Sequence, residues 1–148
     1  MSLPRAVLVV LALLPLGCGA AAMGPPDIVV DRAVCSHCGM FVSEPVYAAA
    51  SQVDGEEPRL FDDIGCLLDA LGQSPARPAG IWLQDAGGSG WIDRDAAAFV
   101  TGSRVRTPMS GGILAYTGVA AAERAATAHG GRVVGSLTEL IAQRGEMP

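Results

Sequence analysis

From Val46 to the C-terminus, short apolar segments alternate with turn-forming residues, so the chain can build only short strands and short helices joined by tight connections. Val46 to Val53 reads as a strand, Asp54-Gly55-Glu56-Glu57-Pro58 supplies the turn, and Arg59-Leu60-Phe61 is the returning partner. Asp62 is the expected cap of a helix from Asp63 to Leu71. Its Ile64, Leu67, Leu68 and Leu71 follow the i, i+3, i+4, i+7 period, and Gly72 is the expected stop. Ile81-Trp82-Leu83 is a short strand that Trp91-Ile92 can pair with across the flexible turn Gly87 to Gly90. Asp93, with Asp95 in the first turn, is the expected cap of a short helix running to Val100. Gly112 to Thr117 reads as a strand, Val119 to His129 as an Ala-rich helix stopped by Gly130-Gly131, and Arg132 to Val134 as the last strand. Ser136 and Glu139 have capping-box spacing for a final helix to about Arg144. Short strands between helices make the class α+β. Only seven residues are aromatic, so Ala, Val, Leu and Ile must fill most of the core.

The spacing carries a sign of internal repetition. Met40 precedes Tyr47 by seven positions and Met109 precedes Tyr116 by seven, each at the mouth of a strand that leads on to a helix. Read as a repeat, this describes two related small α+β units packed as one body, with the methionines in equivalent places.

The first residues belong to targeting. A weakly positive start at Arg5 is followed by an apolar run from Ala6 to Leu16, too short to cross a bilayer and placed as the h-region of a secretory signal, residues 1–17. The segment ends Leu14-Pro15-Leu16-Gly17-Cys18, which resembles the bacterial lipoprotein signal in which the Cys is lipidated and becomes the new N-terminus. The alternative is cleavage after Ala20-Ala21-Ala22, releasing a soluble protein. Lipidation at Cys18 is the favoured reading, because a lone Cys ending an h-region has little other use. Residues 18–27 are then a Gly/Ala/Pro-rich tether, and the folded domain begins near Ile28.

Charge removes one class of partner. The basic residues number 10, all Arg, against 15 acidic ones, a net charge of −5 with no basic run, so no nucleic-acid backbone is the partner. Nor is there a phosphate-binding loop, a His-Glu-x-x-His pair or a nucleophile elbow.

The cysteines carry the chemistry. Beyond Cys18 three remain, Cys35, Cys38 and Cys66, and an odd count in an exported chain leaves at least one thiol free, metal-bound or bonded elsewhere. Cys35-Ser36-His37-Cys38-Gly39-Met40 places two thiols, an imidazole and a thioether within six residues, with Gly39 available for a positive φ. Thiolate and thioether together favour Cu(I), whereas Ca²⁺ or Mg²⁺ requires an oxygen cage. Met109 lies in Thr107-Pro108-Met109-Ser110-Gly111-Gly112, where Pro and Gly hold the backbone of a loop suited to bringing a ligand to a site. Three other readings compete: a zinc knuckle completed from Cys66, His37 and His129; a disulfide between Cys35 and Cys38; and a thioredoxin-type pair, for which Pro45 leaves too little helix after the motif. Cys66, beside Leu67 and Leu68, reads as a small core residue, and His129 as a surface group at a helix C-terminus.

Taken in order, Cys35-x-x-Cys38-Gly39-Met40, Tyr47-Ala48-Ala49, Phe61-Asp62-Asp63-Ile64-Gly65-Cys66, Trp91-Ile92-Asp93 with Ala97, and Thr107-Pro108-Met109 followed by Ala115-Tyr116 resemble the NosL family over about Asp31 to Leu140. Ser110 stands where the family commonly has Gly, and Pro15 departs from the usual lipobox. The resemblance implies two ββαβ-like units, approximately residues 28–105 and 106–148. It also implies a non-enzymatic metallochaperone, lipid-anchored at the periplasmic face of a bacterial membrane. Such a protein binds Cu(I) through Cys35, Cys38, Met40 and Met109 and delivers it to nitrous oxide reductase, a similar copper enzyme, or the assembly machinery. The alternatives are a thiol–disulfide oxidoreductase using Cys35 and Cys38, and a zinc-stabilised interaction module.

Overall fold

The computed structural model describes residues 22–145; the signal segment and Cys18 lie outside the described residues. Seven strands form one sheet: β1 (Ala49–Gln52), β2 (Arg59–Phe61), β3 (Gly80–Asp85), β4 (Gly90–Asp93), β5 (Ala97–Thr101), β6 (Leu114–Thr117) and β7 (Arg132–Val134). Three helices pack on it: α1 (Ile64–Gln73), α2 (Val119–His129) and α3 (Leu137–Gly145). The class is α+β, as expected.

The repeat is real in the topology. In the first copy β1 pairs antiparallel with β2 on one side and β3 on the other, and α1 links β2 to β3. In the second, β5 pairs antiparallel with β6 and β7, and α2 links β6 to β7. The order β2-β1-β3-β6-β5-β7 sets these copies side by side, joined by the parallel pairing of Asp85 with Ala115, while β4 forms a hairpin with β3. Traced by strands, the second copy begins with β5, ahead of the 105/106 boundary. The Met–Tyr spacing is not its marker, since Tyr116 lies in β6, the counterpart of β2, whereas Tyr47 lies in a 3₁₀ turn leading into β1. At the junction of the copies, buried Asp85 accepts hydrogen bonds from Gly87 N, Ser89 Oγ and Thr117 Oγ1. Burial acts to raise its pKa, but these donors outweigh it and hold the carboxyl below its usual value.

The copies differ in which face their helix covers. One face of the sheet, with Ala49, Phe61, Leu83, Phe99, Ala115 and Val134, packs under Ile64, Leu67 and Leu68 of α1 and Leu137 and Leu140 of α3. The opposite face carries Ala98, Val100, Leu114 and Tyr116 against Ala122 and Ala125 of α2. Over the first copy that face is closed by Ile28, Ala33 and Val42 of the N-terminal segment. β5 is therefore covered on both sides, with Ala97, Ala98, Phe99 and Val100 all buried.

This double cover explains one failed expectation. Asp93 to Val100 is not a helix: Asp93 ends β4, its carboxylate accepts only the Asp95 N–H in a local turn, and β5 follows. A strand buried on both faces loses the alternation that betrays a strand, and ladders to β6 and β7 override the helix propensity of three consecutive alanines. The cap of α1 is also one residue later than expected, at Asp63, because the Asp62 side chain is turned to the cysteines. Gly72 does not stop the helix, which continues to Gln73. The capping box at Ser136 forms in part: Ser136 Oγ accepts the Glu139 N–H at 3.2 Å, while Glu139 reaches back to Gly135 N at 3.1 Å.

The start of the described chain is held by a buried amide. Gln52, 1% exposed, accepts Gly24 N at 3.0 Å and donates to Ala22 O at 3.1 Å and Glu56 O at 2.8 Å. Within the segment expected as a tether, residues 18–27, Ala22 and Gly24 are thus bonded to the fold. Gln52→Ala is expected to release it: hydrogen exchange at Gly24 should accelerate about 5-fold, since one net hydrogen bond contributes about 1 kcal/mol. Equal exchange in both proteins would show that Gln52 is not the clasp.

Candidate metal centre

The site grows from a tight loop. Cys35 N donates to Met40 O at 2.8 Å, Gly39 N donates to Cys35 O at 3.0 Å, and Val34 bridges Phe41. Closure requires Gly39 at φ +77, the left-handed conformation its lack of a Cβ permits. Ser36 N bonds Leu60 O at 2.7 Å and fastens the loop to β2. Cys35 therefore points into the core at 1% exposure, Cys38 sits half-buried, and Met40, 46% exposed, faces solvent.

Two consecutive carboxylates bring the remaining pieces together. Asp62 and Asp63 are both buried at the junction of β2 and α1. Cys38 Sγ donates to Asp62 Oδ1 at 3.7 Å. Asp63 caps α1 by accepting Gly65 N at 2.6 Å, and its other oxygen accepts Met109 N at 3.1 Å. Gly65 is required there, since a Cβ would stand 2.9 Å from Asp63 Oδ1. The Met109 loop is closed by Ser110 N to Thr107 O at 2.8 Å and by Gly112 N to buried Thr107 Oγ1 at 3.3 Å. Met109 is consequently fixed by its backbone beside the N-terminus of α1 while its side chain remains 44% exposed.

One turn into α1, Cys66 turns inward and meets the loop cysteines. The ligand atoms of Cys35, Cys38, Asp62 and Cys66 all lie within 4.8 Å of one another. Cys66 is thus both the buried core residue expected, at 1% exposure, and a member of the cluster. Asp62, expected as a helix cap, is the residue that sequence reasoning missed. The visible signal was the pairing of Asp62-Asp63 with Cys66, which a cap and the i+3 position of a short helix bring onto one side.

Two of the thiols, Cys35 and Cys66, hold their protons more tightly than an ordinary cysteine does. Burial pushes the Cys35 thiol up from its ordinary value, and the Cys66 thiol is pushed up as well, first by burial and then by neighbouring Cys35 and Asp62. An attacking redox thiol needs the opposite shift. His37 is outside the cluster, its Nε2 3.9 Å from Asp69 Oδ2, and Asp69 is also bound by Arg144 Nη2 at 2.6 Å. His129 ends α2, the helix on the far face of the sheet, so neither histidine completes a knuckle with the cysteines. Among the described residues no disulfide links the three cysteines, and no helix is long and apolar enough to cross a membrane.

Comparison with known proteins agrees with this fold. Against curated protein sequences the chain gives no match. It is similar to the crystal structure of the copper chaperone NosL from Shewanella denitrificans, with a TM-score of 0.66 at 17% identity, covering 77% of this chain and 93% of that one. The NosL family model matches residues 26–141, which takes in the cysteine loop, both buried aspartates, Cys66 and the Met109 loop. The chain belongs to the NosL family.

Proposed function

We propose that the protein is a carrier, not an enzyme, which binds one Cu(I) as cargo at the cysteine cluster and passes it to a copper enzyme, nitrous oxide reductase or one like it, or to the machinery that assembles it. The observation that carries this reading is the meeting of three thiols at the end of a loop whose outer side presents Met40, with Met109 fixed nearby. Soft sulfur donors select Cu(I), and a site with ligands both buried and exposed holds the ion while leaving an approach for an incoming ligand. The similar Shewanella structure, described as a copper chaperone, supports the same cargo.

Location belongs to the same proposal: lipidation at Cys18 and residence at the periplasmic face of the membrane. The clasp on Ala22 supports this processing over the alternative, because cleavage after Ala22 removes a carbonyl that buried Gln52 binds.

The test is an anaerobic Cu(I) titration of the reduced full-length protein in detergent against a calibrated chromophoric chelator. One-to-one competitive binding is expected. Met109→Ala should weaken it about 10-fold without lowering the melting temperature, since the side chain is half exposed and only its backbone anchors the loop. No competition with the chelator would sink the carrier reading, and unchanged affinity in the variant would remove Met109 from the site.

A further inference from the structure

The N-terminal segment that closes one face of the sheet has an outer side with no use so far. Neighbouring residues along it turn opposite ways: Ile28, Ala33 and Val42 pack on the sheet, while Val29, Val34 and Phe41 beside them are exposed. The bridge between Val34 and Phe41 and the bond from Asp31 N to Val42 O at 3.1 Å hold these outer side chains together as one surface. With Met23, Val30, Met40 and Val46 they are seven of the ten large exposed apolar side chains among the described residues, all within residues 23–46. Phe41, 60% exposed, is the most open. So much apolar surface on one segment marks a contact face.

We propose that this face docks on the lipid bilayer, as an apolar contact additional to the lipid anchor. The inference rests on the lipidation of Cys18 put forward above. From Cys18 the chain reaches Ala22 in four steps, at most about 14 Å at full stretch. Ala22 O is fastened to buried Gln52 Nε2 at 3.1 Å, and Gly24 N to the same side chain at 3.0 Å. The anchor therefore holds the start of this segment within about half the ~30 Å diameter of a small domain from the lipid. At that range the apolar side chains that follow are the first large ones to meet the bilayer.

Charge decides which lipid suits it. Exposed Asp27, Asp31 and Glu44 outnumber exposed Arg32 along the segment, so no basic excess draws it to anionic headgroups. The contact is apolar, fits a zwitterionic surface, and is insensitive to salt.

The experiment takes the mature chain from bacterial membranes into phosphatidylcholine vesicles that contain lipid with a doxyl quencher just below the headgroup. Trp82 and Trp91, the only tryptophans, pack partly buried under the segment and report its approach. Their fluorescence is expected to be quenched, equally at low and high salt. Val34→Ser together with Phe41→Ser should cut the quenched fraction at least about 3-fold without lowering the melting temperature, since both side chains are exposed. Ile141→Ser, an equally exposed site on α3 across the sheet, should leave quenching unchanged. If the double variant does not fold, Val29→Ser is expected to give a smaller loss in the same direction. Intact mass of the same sample keeps the two readings apart. An unmodified Cys18 overturns the anchor and the docking that rests on it. A lipidated chain whose tryptophans stay bright, or are quenched alike in native and variant, overturns the docking alone. Dimers in detergent that the variant abolishes, with no quenching in vesicles, would give the face to a second copy instead.

Discussion

Asp63→Ala should lower the stability of the domain by about 3 kcal/mol and loosen the Met109 loop at the same stroke. Removal of a helix cap costs about 1 kcal/mol. Leaving the Met109 N–H without its acceptor in a part-buried site adds about 1–3 kcal/mol. For a domain of this size the melting temperature should drop by roughly 10 °C or more, read by thermal unfolding. Asp63→Asn separates the two roles: the amide oxygen still caps α1 through Gly65 N, but an NH₂ group then faces the Met109 N–H where a second oxygen stood. That variant should recover most of the helix contribution and show fast hydrogen exchange at Met109. A loss below about 1 kcal/mol in Asp63→Ala would mean that water replaces the carboxylate at both positions.

Cys38→Ser is expected to lower Cu(I) affinity at least about 100-fold, because loss of a group that merely supports a ligand typically costs 10–100-fold. Cys38 is the informative thiol, being half-buried where Cys35 and Cys66 are core residues, so the variant should unfold at nearly the native temperature. A loss under 10-fold would move the ion elsewhere. The same titration has a pH dependence of fixed sign. Cys35 and Cys66 have thiols raised above their ordinary value, so a thiolate bound to the metal must first shed a proton that the empty site holds strongly. Affinity should rise with pH and fall on acidification, about 10-fold per pH unit for each thiol proton released, and the slope counts the thiols that the ion displaces. A flat profile would show that binding uses thioethers alone.

The amino-acid sequence by itself determined the class, most of the elements and half of the centre. Hairpin β1–β2 was legible from a turn cluster between two apolar runs, and α2 from an Ala-rich stretch closed by two glycines. The Cys-x-x-Cys-Gly-Met segment announced soft-metal chemistry because its residue types and its glycine lie within one turn of chain. What stayed hidden depended on faces. β5 read as helix because two different helices, α1's side and α2's side, bury it from above and below, and a doubly covered strand has no polar alternation to show. Cys66 read as packing because its neighbours are core. Only the approach of the Cys35 loop to the first turn of α1, across a strand junction, makes a buried thiol into a member of a group that can hold a metal. Asp62 read as the cap of α1, but tertiary structure turns it to the cysteines and gives the cap and the Met109 loop to Asp63. Sequence fixes which donors exist, through local chemistry; which of them share a site is decided by chain segments far apart in number that pack together to bury their apolar sides.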